Sequence, residues 1–539
     1  MVSAEWQKLI DEKRASLDSV IPQEWRVPGN VLAKVSNEAT ISGLTLLKES
    51  NLLNAREQEL TEKYDATALL DLLATKQVSS VEVVTAFCKR AAIAQQLINP
   101  LAEMFFDDAI EQAKERDGYL ACEGKVKGPF HGLPISIKDM INIKGQFANL
   151  GYVSYLKKPR ASENSVIIDI LLDGGAVLYC KTTVPQALFV MEGYSTVCGT
   201  TRNAHNLSHT PGGSSSGEGA LVGFRGSVLG VGSDIGGSVR APALCNGVYG
   251  FRPSSDRLPY SKQQQFFPPG WPSITCTLGP LAVSARDLTL FFKHVLLAEP
   301  WKVDSTSHAI HWRELPPVKT LKIGVWRDDP AFSVYPPVSR ILSSAVEKLR
   351  KAGHEIVELE APSIVEAVIT SFKSFSLDNN ATIFKYLEEG GEDLSPALSV
   401  IAQALKGPAA TLEDVWAVNA SKESYREEWA RVWRSHNIDV LLCPGSRNTS
   451  VPHGMYGNPV WTVIWNLLDF PAAVIPYLKA DKTLDKPVDG FDPEAVHGSP
   501  GSVQVVGWRF QDEEVLRATE IIARDLHSQE GKSSVMPRI

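Results

Sequence analysis

Residues 211–240 read PGGSSSGEGALVGFRGSVLGVGSDIGGSVR, and no other stretch limits the fold as strongly. Ten of the 28 residues from Pro211 to Ser238 are glycine, against 39 in the whole 539-residue chain. Glycine meets serine twice, in Gly212-Gly213-Ser214-Ser215-Ser216-Gly217 and in Gly236-Gly237-Ser238. Between the two clusters, Ala220, Leu221, Val222, Val228, Leu229 and Val231 make the segment apolar enough to be buried, which a solvated Gly/Ser linker has no reason to be. Glycine at this density in buried chain means backbone that passes close to another group or takes positive φ. We read that group as a substrate carbonyl.

The flanking sequence alternates helix and strand patterns. Residues 4–20 have helical periodicity, with Ser3 as cap and Trp6, Leu9, Ile10 and Leu17 on one face. Further helices are expected over 66–76, from Ser79-Ser80 with Glu82 at capping-box spacing, and over 107–121. Leu133–Ile137 is a β-type run ending on Lys138-Asp139. Ser162 starts a helix through Leu172, Gly174-Gly175 ends it, and 176–180 is the next strand. The Gly/Ser stretch then gives a loop, a helix over 217–224, a strand over 228–233, a second loop and a helix from near Ser238. Residues 253–312 are rich in proline and aromatics and read as irregular connections. A second section follows: strand 321–326, helix 338–352, strand 355–359, helical segments over 363–434, strand 438–443, strand 502–508 and helix 512–528. Strands separated by helices along the whole length predict a single α/β domain around one large sheet.

Composition narrows the partners. A net charge of −8 argues against nucleic acid and anionic membrane surfaces. No apolar run is long enough to span a membrane, and the amino terminus lacks the apolar core of a signal peptide. The seven cysteines include no C-x-x-C spacing, so free thiols in a reducing, cytoplasmic compartment are expected. No H-E-x-x-H is present, His205 and His209 read as structural or solvated, and no metal is expected. No phosphate-binding loop or dinucleotide fingerprint occurs.

Three polar side chains stand out: Lys138 at a strand end, and Ser214 and Ser238 in the two Gly/Ser turns. A serine hydroxyl needs a base before it attacks a carbonyl, and a desolvated lysine, its pKa lowered, can serve. Successive N–H groups in a glycine turn that opens a helix converge on one point, as a developing oxyanion requires. Gly213-Ser214-Ser215-Ser216-Gly217 also matches G-x-S-x-G, the nucleophile elbow centred on Ser215. An elbow follows a buried strand, whereas His205–Pro211 is polar and ends in proline, so the context fails.

GLPISIKD (132–139), PGGSSSGEGA (211–220) and GSDIGGSVRAPA (232–243) resemble, in order and in register, the three blocks of the amidase signature family of serine hydrolases. The two serines stand 24 residues apart, as that family's pattern requires. EWQKLIDEKRASLDSVIPQEW, TAFCKRAAIAQQL, NLLDFPAAVIP and DPEAVHGSPGSVQVVGWR extend the likeness to the fungal acetamidase and general amidase branch over nearly the full length.

The resemblance implies a large, twisted, mostly parallel mixed sheet wrapped in helices, in one domain over 1–539 with a helical lead over 1–60 and the signature region at 130–255. It implies Ser238 as the acyl-forming nucleophile, Ser214 as a proton relay after a cis peptide bond, and neutral Lys138 as the base. The N–H groups of Ile235, Gly236, Gly237 and Ser238 match the oxyanion hole, and Ser214 with these four residues forms the expected substrate-binding set. Asp234 and Arg240 match bracing positions, and Leu188, Phe189 and Met191 fall where the acyl pocket is lined. Ser216 and Ser233 depart from the Gly and Thr of many members, a change between small residues. The implied reaction is hydrolysis of a small-molecule carboxylic amide without a cofactor, with a homodimer left open. The alternatives are an ester or lactone hydrolase on the same or a Ser-His-Asp site, an amidotransferase A-type subunit, and an inactive binding protein on the same scaffold.

Overall fold

The computed structural model describes residues 2–268, 270–271, 274–404 and 408–528. The strands are β1 (Leu101–Met104), β2 (Pro134–Lys138), β3 (Val177–Thr182), β4 (Leu229–Asp234), β5 (Tyr249–Arg252), β6 (Thr277–Ala282), β7 (Lys322–Val325), β8 (Glu355–Glu358), β9 (Val440–Cys443), β10 (Ala472–Lys479) and β11 (Pro500–Val506). These eleven make one sheet in the order β1-β3-β2-β4-β6-β5-β10-β11-β9-β7-β8. Every residue of β2, β3 and β4 is buried, so both faces of that part of the sheet are covered.

The sheet is mixed, but the expectation that it is mostly parallel needs correction. Parallel pairing is confined to β3-β2-β4 at one end and β9-β7-β8 at the other. The other six neighbouring pairs are antiparallel. The βα units legible in the sequence lie in the two parallel blocks; between them, antiparallel neighbours need no crossover helix and leave no such pattern.

Most helices fall where periodicity places them, including Ala4–Ser19, Ser80–Ile98, Phe106–Glu123, Ser216–Gly223 and Pro336–Lys351. Ser79 accepts from Glu82 N at 3.0 Å, the cap expected there. The helix expected from Ser162 begins only at Val166, with Ser165 preceding it. The stretch 253–312 is not irregular throughout: it holds β6 and the helix Ala285–Leu297. Gly279-Pro280 inside β6 masks the strand, because both residues read as breakers. Residues 405–407, in the expected helical stretch 363–434, lie outside the described residues.

Two features of the core position the site. The helix Ser216–Gly223 is wholly buried against β2, β3 and β4. The helix Val460–Leu468 is also wholly buried, and its Trp461 and Trp465 pack with Trp326 and Trp429. In that cluster the ring centroids lie 4.7 Å apart for Trp326–Trp461 and 5.1 Å apart for Trp429–Trp465.

Candidate active site

β2 and β4 are adjacent and parallel, with Ser136 opposite Gly230, so their carboxyl ends open at one place. Lys138 ends β2 there, fully buried. Its Nζ donates to Ser214 Oγ and to Ser233 Oγ, each at 2.9 Å. Burial disfavours the ammonium and lowers the pKa to about 8, against the opposing pull of the Cys276 thiol and the carboxyls of Asp234, Glu218 and Asp139.

Ser214 is held from the other side by the Gly212-Gly213 turn. Gly212 has φ +72°, and the Gly213–Ser214 peptide bond is cis. A β-carbon on Gly213 would lie 2.5 Å from Val190 O and 2.7 Å from Glu192 N, so close approach requires glycine. Ser216 Oγ donates to Glu192 O at 2.9 Å, fixing the same wall. Ser215 opens the helix Ser216–Gly223 rather than following a strand, so no nucleophile elbow forms.

The second turn follows β4. The buried Asp234 carboxylate accepts from Gly237 N at 2.7 Å, Val239 N at 3.1 Å and Asn466 Nδ2 at 2.9 Å, and from Arg240 Nε and Nη2 at 3.0 Å each. Arg240 in turn donates to Asn466 Oδ1 and Gln504 Oε1. Thr462 Oγ1 donates to Gly236 O at 2.8 Å. Ser215 N donates to Ser238 O at 3.1 Å, tying the two turns together. Lys138 and Ser214 are therefore in contact, and Ser238 is held beside them by its own backbone.

The geometry changes the expected donor set. Gly237 N–H is engaged by Asp234, whereas the amides of Ile235, Gly236 and Ser238 meet no acceptor among the described residues. These three amides are left without a protein acceptor, and Gly237 supplies the turn, at φ +127°. The bracing residues Thr462, Asn466 and Gln504 carried no local signal in the sequence. Glu218, a lone acid between glycines in a buried helix, did carry one: the GEG triplet.

Phe375 and Val463 approach Gly236, and Phe189 packs edge-on to Phe375 with centroids 6.1 Å apart. These residues give the site an apolar wall; Leu188 and Met191 are both buried. A cavity of about 860 Å³ borders the 190–193 segment, lined by Val190, Glu192, Tyr194, Leu394 and His453 but not by Lys138, Ser214 or Ser238. His205 bonds Asn246 O, and His209 bonds Ser450 and Ala495 O, both structural contacts away from the two turns. Among the described residues, no helix is long and apolar enough to cross a membrane, and no group of three or more His, Cys, Asp or Glu could hold a metal ion.

Residues 82–516 match the family model described as Amidase. An amidase of Gibberella moniliformis is 50% identical over 529 residues, covering 98% of this chain and 100% of that protein. An acetamidase of Emericella nidulans is 37% identical, covering 96% of this chain and 98% of its own. The fold is similar to a solved structure of fatty acid amide hydrolase, with TM-score 0.92 and 33% identity over 97% of this chain and 96% of that one.

Proposed function

This chain belongs to the amidase family and is an amide hydrolase, and we propose that it acts through an acyl-enzyme on Ser238. Ser238 Oγ attacks the carbonyl carbon of a carboxylic amide while its proton passes to Ser214 Oγ, and the Ser214 proton passes to Lys138 Nζ. The tetrahedral oxyanion rests on the amides of Ile235, Gly236 and Ser238. Ser214 gives the proton it received to the departing nitrogen as the C–N bond breaks and takes one back from Lys138, leaving the ester of Ser238 and a neutral lysine. Water then cleaves that ester by the same relay, releasing the carboxylate. No step calls for a cofactor.

The observation that carries this reading is the 2.9 Å contact between a fully buried Lys138 Nζ and Ser214 Oγ. A lysine in that position titrates near neutrality and can accept a proton without the help of histidine. The wall of Phe189, Phe375 and Val463 favours an apolar acyl group, and the relatives named for acetamide and for fatty acid amides bracket its length. All seven cysteines are free thiols, which fits a reducing, cytoplasmic compartment.

A fluorophosphonate serine probe tests the assignment directly. Peptide mapping should place the label on Ser238, and Ser238→Ala should lose both label and turnover. A label on another serine, or amide hydrolysis surviving in Ser238→Ala, would overturn it.

A further inference from the structure

Glu218 is fully buried, and the proton relay makes no use of it. It sits four residues after Ser214, on the helix Ser216–Gly223, and its carboxyl reaches all three strands of the parallel block. Oε2 lies 2.6 Å from Ser136 Oγ on β2, and Oε1 lies 2.8 Å from Thr182 Oγ1 on β3. On β4 the facing position is Gly230, where a β-carbon would run into Oε2. Ser136 stands two residues before Lys138 on the same face of β2, and Thr182 is the register partner of Lys138 itself. The carboxyl is thus pinned directly behind the amine.

Counting hydrogens bears on its charge. Four short oxygen–oxygen contacts form one chain: Thr182 Oγ1 to Glu218 Oε1, Glu218 Oε2 to Ser136 Oγ, Ser136 Oγ to Ser227 Oγ at 2.9 Å, and Ser227 Oγ to Leu229 O at 3.0 Å. Each contact needs one hydrogen, and the three hydroxyls of Thr182, Ser136 and Ser227 supply only three. Were Glu218 ionised, Ser136 would donate to it, and the single Ser227 hydrogen could serve either Ser136 Oγ or Leu229 O but not both, so one buried contact would lack a hydrogen. With a proton on Oε2 every contact is filled. The charged and titratable groups facing Glu218 are Lys138 from β2 and Tyr179 and Cys180 from β3. Burial pushes the phenol and thiol far up, so both are neutral. Burial likewise raises the Glu218 carboxyl, to about 7, against the bonds from Ser136 and Thr182 and the charge of Lys138, and it rises further when the working base loses that charge.

We propose that Glu218 is held as a neutral carboxylic acid donating to Ser136, and that it positions the amine of Lys138 without charging it. This rests on Lys138 acting as the base. A carboxylate in the same place would favour the ammonium and withdraw the base at neutral pH.

Infrared difference spectra of the full-length protein in H₂O and D₂O at pH 6 test the protonation independently of turnover. A protonated-carboxyl C=O band should be present in the wild type, missing in Glu218→Gln, and shifted in Ser136→Ala, which removes the acceptor. The positioning role is read from kcat/KM against pH. Glu218→Ala should lose rate by about 10-fold or more, and Glu218→Gln, which keeps one donor and one acceptor, should recover most of it. The acid limb of Glu218→Gln should move by less than about half a pH unit. No band assignable to Glu218, or an acid limb lowered by a unit or more in Glu218→Gln, would show a carboxylate and overturn the proposal. Should Glu218→Gln fail to fold, an unshifted band in Ser136→Ala would overturn it equally. Loss of the base reading would appear instead as activity surviving in Lys138→Ala, with the infrared band untouched.

Discussion

Asp234 and Arg240 form a fully buried ion pair across the Gly236-Gly237 turn, with each carboxylate oxygen 3.0 Å from a guanidinium nitrogen. The same carboxylate fixes the amides of Gly237 and Val239, so one pair sets the shape of the turn that presents Ser238.

Arg240→Met leaves that carboxylate buried and unpaired, and the expected loss is about 3–5 kcal/mol of stability in urea unfolding. Asp234→Asn in the same chain should recover a large part of it, and strict additivity of the two losses would show that the pair is not coupled. Burial opposes ionisation of Asp234, but the charge and hydrogen bonds of Arg240, with Asn466 and Arg252, hold its carboxyl well below the usual carboxylate range. A depressed folded pKa gives stability that is full above the unfolded value of about 4 and is lost as pH falls below it. The wild-type melting temperature should therefore fall below about pH 4 more steeply than that of the double variant.

Lys138→Met should lose about 10²–10⁴-fold in kcat/KM at neutral pH while folding normally. The same change removes a buried ammonium, which favours the folded state where the wild-type lysine is charged. Because the folded pKa, about 8, lies below the ordinary lysine value of 10.5, the folded chain binds fewer protons between those values. Wild-type stability should rise with pH across that window relative to Lys138→Met, as thermal scans at pH 7 and pH 10 would read.

The pH–rate profile carries the sign of the same shift. The base is competent only when neutral, so kcat/KM for a neutral amide should climb with pH about a midpoint near 8. A profile that is flat from pH 6 to about 9 would place the essential base elsewhere.

Gly236 and Gly237 should respond differently to alanine. At Gly237 the φ of +127° is closed to most side chains and a β-carbon would strike Thr462 Oγ1, so the expected cost is about 2 kcal/mol or more. At Gly236 the nearest atom, Val463 Cγ2, is 3.6 Å from the added carbon, and the stability cost should stay under about 1 kcal/mol. Parallel urea curves for the two variants check the contrast.

Where local pattern carries the information, the sequence is a good guide. β2, β3 and β4 are short apolar runs bounded by turn residues, and the glycines at 212, 213 and 237 sit where backbone must bend or approach closely. β6 hides behind Gly279-Pro280, and β10 lies in the FPAAVIP run, which no flanking turn signal marks as a strand. The braces Thr462, Asn466 and Gln504 reach the site from more than 220 residues away, and a contact of that kind has no signature in either local stretch. The engagement of Gly237 N–H by Asp234 is equally illegible, since it depends on which way one peptide group points.

The helix Val460–Leu468 holds the Gly236-Gly237 turn through Thr462 and Asn466 and, one residue before each, carries an indole into the four-tryptophan cluster. The same nine-residue helix thus links an aromatic cluster to the backbone of the turn. Near-ultraviolet circular dichroism, to which those closely packed rings contribute, should therefore change in a variant that frees Thr462 or Asn466 from the turn.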